Sequence, residues 1–115
     1  MEHCIADIRY CEKLFDSFYD IGSTENGGVT RLGYTEQEDR MHAVLTKLGR
    51  ELQCQVEEDE AGNTYVMNSR DTDYYLIGSH LDSVIEGGRY DGVAGIIAGL
   101  MVMKWAKEEG IKVPI

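Results

Sequence analysis

Three side chains able to do metal-site chemistry fall within one short stretch, Gly78-Ser-His-Leu-Asp-Ser-Val-Ile-Glu-Gly-Gly-Arg-Tyr-Asp-Gly92. His80 offers an imidazole, and Asp82 places a carboxylate two residues further on. In an extended segment residues i and i+2 share a face, so the ring and this carboxylate are expected to be neighbours. A histidine bound to metal through one nitrogen commonly donates its other ring N–H to a carboxylate, which fixes the tautomer and raises ligand basicity. His-x-Asp supplies both parts. Asp91, beside Gly92, has two readings. It serves as a helix N-cap, a common use of aspartate at a helix start. Alternatively, Gly87-Gly88 fold the backbone tightly and bring Asp91 to His80, where one carboxylate can bridge two metal ions as two-metal hydrolytic sites require.

A glycine-rich loop before a helix can also cradle phosphate. This one carries Glu86 and Asp91, lacks a Gly-Lys-Ser/Thr ending and does not spell G-x-G-x-x-G. Carboxylates repel phosphate and attract cations, so the cation reading prevails.

The elements that must position these groups follow from periodicity. From Cys4 to Tyr19, apolar Ile5, Ile8, Cys11, Phe15, Phe18 and Tyr19 recur at helical spacing, and Gly22 is placed to stop that helix. Gly22 to Gly28 reads as a loop, and Val29 to Leu32 as a short run. Thr35 and Glu38 spell a capping box before a second helix with a face of Met41, Val44, Leu45, Leu48 and Leu52. A period of two through Cys54 and Val56, a turn at Asp59-Glu-Ala-Gly-Asn63, and Thr64-Tyr-Val-Met67 predict a hairpin. Tyr74-Tyr-Leu-Ile77 is a continuous apolar run of the kind found in strands covered on both faces. Val93, Ile96, Ile97, Leu100, Met101 and Trp105 trace a third helix closed by Gly110, and Ile111-Lys-Val-Pro-Ile115 begins another strand. Strand, crossover helix and strand make a βαβ unit, hence an α/β fold with helices on a mixed sheet. His80 then stands where open α/β sheets bind ligands, beyond the carboxyl end of a strand.

A chain of 115 residues is one domain at most, 1–115. Eleven Lys+Arg against 21 Asp+Glu leave a formal charge of −10, which argues against nucleic-acid and anionic-membrane partners. Cys4, Cys11 and Cys54 are an odd, scattered set without a C-x-x-C pair. With no basic and apolar leader at the start, this predicts reduced thiols and a cytoplasmic location. The pattern ends where the new strand should enter the sheet, so the sequence reads as a truncated piece.

Gly78-Ser-His-Leu-Asp-Ser83 and Gly87-Gly-Arg-Tyr-Asp-Gly-Val-Ala-Gly95, at their mutual spacing, resemble the hydantoinase/carbamoylase branch of the M20 metallopeptidases. This branch comprises N-carbamoyl-L-amino-acid hydrolases, allantoate amidohydrolases and β-ureidopropionase-like enzymes. Gly28-Val-Thr-Arg-Leu-Gly-Tyr-Thr35 and Asp59-Glu-Ala-Gly-Asn63 resemble its upstream signatures, in the same order. The resemblance implies the N-terminal part of a zinc-peptidase-like catalytic domain, with the lid and dimerisation domain absent. It implies two divalent metals in the complete enzyme, zinc foremost, with manganese, cobalt or nickel as alternatives. By matching position His80 is a metal ligand, Asp82 the catalytic carboxylate that orients it, and Asp91 the bridging ligand.

The family's Glu-Glu pair and later histidines have no counterpart here. His3 and His42 match no family ligand and read as helix-surface residues, and Ser83 sits at a variable position. The implied reaction is metal-assisted hydrolysis of a linear amide or ureido C–N bond in a small molecule, an N-carbamoyl amino acid or ureide, by a homodimer. The alternatives are an aminoacylase or dipeptidase of the same superfamily, and a non-catalytic fragment or pseudo-enzyme.

Overall fold

A computed structural model describes residues 2–115, with side-chain surroundings from Cys4 onward. The element order is α1 (Glu2–Tyr19), α2 (Glu36–Glu51), β1 (Gln55–Glu58), β2 (Thr64–Met67) and α3 (Val93–Glu108). The side chain of His3 lies outside the described surroundings.

Helix α1 buries Leu14 and Phe18, each 1% exposed, one turn apart on the same face. Ile5 and Ile8, expected on that face, are exposed instead; the core receives the C-terminal half of the helix, with Tyr10, Cys11 and Phe15 packed at its margin. The chain leaves α1 through Gly22 at φ +70°, a left-handed turn.

Helix α2 gathers Glu36, Glu38 and Asp39 in its first turn and Arg50 in its last, the charge order a helix dipole favours. The capping box predicted at Thr35 does not form, since Thr35 is the N-cap but makes no side-chain cap bond. The Thr35 hydroxyl turns back to donate to the Leu32 carbonyl at 2.6 Å, and the Glu38 carboxylate accepts from the Tyr34 N–H rather than from that of Thr35. Met41, Leu45 and Leu48 face the core.

The hairpin β1–β2 is antiparallel with Val56 opposite Val66, and it lies against α2 at Gly49. A Cβ there would sit 3.0 Å from both valines, so the close approach needs a residue without a side chain.

Helix α3 is apolar around most of its circumference, which makes its inner face hard to read from sequence. Val93, Ile97, Leu100, Met101, Met103 and Ala106 are buried, whereas Trp105 is 44% exposed. Together with Leu81, the three helices close one core. No helix among the described residues is long and apolar enough to cross a membrane.

The α/β class therefore holds, with helices packed around a small antiparallel sheet. The mixed sheet and its βαβ unit are not laddered among the described residues. Tyr74–Ile77 forms no strand, and Tyr74, Tyr75 and Leu76 are 61%, 71% and 73% exposed rather than covered. Apolar side chains favour a strand only when neighbours cover them. Here the run meets its expected partner through one backbone bond, Tyr75 N–H to Pro114 C=O at 2.9 Å. Ile115 is held from the other side, its carbonyl accepting from Asn68 N–H at 3.1 Å.

Candidate metal centre

His80, Asp82 and Asp91 converge. The Nδ1 of His80 lies 3.1 Å from Asp82 Oδ1 and 3.1 Å from the Asp82 carbonyl oxygen. Both are acceptors, so Nδ1 carries the proton of the neutral ring. Nε2 then presents a lone pair, and it faces Asp91 Oδ2 at 3.6 Å. Two electron-rich atoms pointed at each other invite a cation between them. The ring is about half exposed, as is Asp82, and Asp91 is more open still.

Asp91 is not the N-cap of α3. Gly92 occupies that position at φ +72° with no side-chain cap bond, which leaves the Asp91 carboxylate for His80. A Cβ on Gly92 would stand 2.4 Å from the His80 carbonyl oxygen and 2.7 Å from ring atoms Nδ1 and Cε1. Only glycine permits both the turn and the approach. Gly95 repeats the logic one turn on, where a Cβ would meet the Ser79 side chain at 2.6 Å.

The loop around these groups is fastened to α1 and to the segment after it. Val29 and Gly87 exchange backbone bonds of 3.0 and 2.7 Å, and Ser83 N–H donates to the Arg31 carbonyl at 2.8 Å. The buried Ser83 hydroxyl accepts from Arg31 N–H at 2.8 Å. Further along, Tyr90 packs edge-on against Phe15, and the Arg89 guanidinium lies 3.9 Å from the centre of the Tyr19 ring. This docking sets the path that delivers Asp91.

Arg31 is 1% exposed and has no carboxylate partner among the described residues. Its Nε donates to the Ile21 carbonyl at 2.7 Å and its terminal nitrogen to the Phe18 carbonyl at 2.6 Å. It thus satisfies carbonyls at the end of α1, where a cation is favoured. Burial lowers its pKa, with Arg89 nearby adding to the effect. Reading side chains by type alone misses Arg31 and Ser83, because a charged or polar residue is ordinarily expected outside. Their signal is positional, an arginine in the segment that joins α1 to α2 and a serine just after the His-x-Asp.

His42 is not a plain surface residue either. It is 28% exposed, takes a 2.7 Å hydrogen bond between Nδ1 and the Thr64 hydroxyl, and lies 3.8 Å from Glu38. With Thr64, Tyr75, Ile77, His80 and Asp82 it lines a cavity of about 670 Å³ between the hairpin and the 74–82 segment. Among the described residues no group of three or more His, Cys, Asp or Glu side chains is arranged to hold a metal ion.

No protein-family model matches the chain. It is 39% identical over 95 residues to an N-carbamoyl-L-amino acid amidohydrolase of Geobacillus stearothermophilus, covering 80% of this chain and 23% of that protein. An allantoate amidohydrolase of Bacillus subtilis is 36% identical over 91 residues, covering 76% of this chain and 22% of the relative. Among solved structures, a hydantoinase/carbamoylase family amidase from Burkholderia ambifaria superposes with a TM-score of 0.84 at 33% identity, over 92% of this chain and 27% of that one. The chain thus spans about a quarter of the length of the relatives it matches. In sequence and in fold alike, these residues are similar to about a quarter of the length of hydantoinase/carbamoylase family amidohydrolases.

Proposed function

We propose that these residues supply part of the metal centre of a hydrolase acting on linear amide or ureido C–N bonds, of the N-carbamoyl-L-amino-acid or allantoate type. The observation that carries this reading is the 3.6 Å approach of His80 Nε2 and Asp91 Oδ2, with Nδ1 held on its far side by Asp82. The donor set fits a borderline divalent ion such as zinc, and manganese, cobalt or nickel accept the same ligands. His80 would give one nitrogen, and Asp91 would share its two oxygens between two ions. When bound, the ions supply Lewis-acid activation of the scissile carbonyl and of water. The work of this chain is to hold the donors. Asp82 fixes the His80 tautomer, Gly92 permits the close approach, and the docked Arg89-Tyr90 pair delivers Asp91.

Each ion would have no more than two protein ligands from these residues, whereas catalytic zinc sites use about three plus water. Weak metal binding and no turnover are therefore expected of the 115-residue chain alone. A soluble enzyme acting as a homodimer on a small molecule completes the proposal.

The test is a chimera in which this chain replaces the matching segment of the Geobacillus carbamoylase, assayed on N-carbamoyl amino acids, allantoate and acyl amino acids. Hydrolysis of the first two that disappears in His80→Ala and Asp91→Ala supports the reading. A folded, active chimera indifferent to both substitutions refutes it.

A further inference from the structure

We propose that Arg31 and Ser83 are positioning residues for His80, a two-step strut that fixes the imidazole from the end of α1. Its base is the buried Arg31 guanidinium, anchored on the Phe18 and Ile21 carbonyls. A planar fork can serve two carbonyls at once, which a lysine ammonium does less well.

The strut continues along the Arg31 backbone. Arg31 N–H donates to Ser83 Oγ, and Arg31 C=O accepts from Ser83 N–H, each at 2.8 Å. The Ser83 hydroxyl hydrogen has the Val84 carbonyl at 2.9 Å and the Val29 carbonyl at 3.2 Å. Oγ is therefore used as donor and acceptor, and the residue is 6% exposed. This reciprocal pair pins the backbone next to Asp82, whose carbonyl and carboxylate both face His80 Nδ1.

On the preceding side Ser79 lies against α3 at Gly95, but no reciprocal backbone pair holds it among the described residues. Gly78, Ser79 and His80 are all exposed, so the orientation of the ring depends on the residues C-terminal to it. The role of this strut is to keep Nδ1 as the protonated nitrogen and Nε2 as the open one. It deepens the proposed metal site, yet it can be examined without metal.

The experiment is ¹⁵N NMR of the His80 ring in the metal-free 115-residue chain, at a pH where the ring is neutral, with hydrogen exchange to confirm folding. The native chain is expected to hold mainly the Nδ1–H form. Ser83→Ala and Arg31→Lys should move the majority to the Nε2–H form that an unconstrained ring prefers, and Ser83→Thr should restore the native signature. Met103→Ala, a core truncation on the far part of α3, should lower stability and leave the tautomer unchanged. If Ser83→Ala does not fold, Ser83→Cys, nearly isosteric with a weaker donor, serves in its place and should give a partial shift. Folded Ser83 and Arg31 variants with the native tautomer would overturn the proposal. Zinc titration is a separate measurement, so failure of the strut and failure of the metal reading are told apart.

Discussion

The backbone on the two sides of His80 is built differently. Before it, Tyr74 to Ser79 is exposed throughout and its backbone meets the C-terminal segment through one hydrogen bond. After it, Leu81, Ser83 and Gly87 are buried, and backbone and hydroxyl bonds tie the loop to Val29, Thr30 and Arg31. The side with the more hydrophobic sequence is the looser one. Apolar composition stabilises only where there is something to pack against, whereas the polar loop is held by reciprocal hydrogen bonds, a docked arginine and the one apolar side chain, Leu81, that reaches the core. The geometry of the site belongs to the loop rather than to a strand end.

That contrast can be broken most severely at Gly92. Gly92→Ala forces a left-handed residue with a Cβ into the His80 backbone. A loss of about 3 kcal/mol or more is expected, the strain and the clash adding. Urea denaturation measures it, and an unchanged midpoint would mean that α3 can retreat from His80 at no cost.

Arg31→Met is expected next. It leaves the Ile21 carbonyl unpaired, at about 1–3 kcal/mol, and takes from the Phe18 carbonyl its charged donor while the Ile21 N–H stays at 3.2 Å. Removing a buried cation offsets part of this, so the net loss should be about 2 kcal/mol, read from the same denaturation curves. A stabilised variant would show the cation to be more costly than its two bonds are favourable.

Asp82→Asn sharpens the comparison at the site itself. In the chimera it should keep the fold and weaken zinc affinity or activity by about 10–100-fold, measured by competition with a chelating dye and by turnover. Native affinity and turnover would reduce Asp82 to an ordinary loop residue.

The smallest effect belongs to the loose side. Leu76→Ser removes an apolar side chain that is 73% exposed, and thermal melts should place the change within about 0.5 kcal/mol. A large loss would reveal cover over Tyr74–Ile77 in solution.

Much of this arrangement was legible in the chain. The three helices, the hairpin around Asp59–Asn63 and the glycine stops at Gly22 and Gly110 follow from local periodicity and backbone preference. The pairing of His80 with Asp82 was equally local, since two residues on an extended segment already face one way.

Other features lay outside the reach of pattern. Leu14 was not among the residues expected on the buried face of α1, because several apolar stripes compete there and only the position of α3 selects one. Thr35 turned back to Leu32 instead of capping α2, a competition between nearly equal local hydrogen bonds.

The sequence by itself determined the helices, the hairpin and the short-range chemistry of the His-x-Asp, because each depends on neighbours a few residues apart. Tertiary structure alone decided that Asp91 faces His80 rather than capping its helix, that Arg31 goes inside, and that Tyr74–Ile77 stays open. Each of those outcomes turns on a partner distant along the chain. Gly92 fills the cap position while its missing Cβ makes room for His80. The end of α1 offers carbonyls to a guanidinium, and the apolar run at 74–77 has no neighbouring strand to cover it among the described residues. Such contacts are set by how elements meet in space, which residue types and spacing do not encode locally.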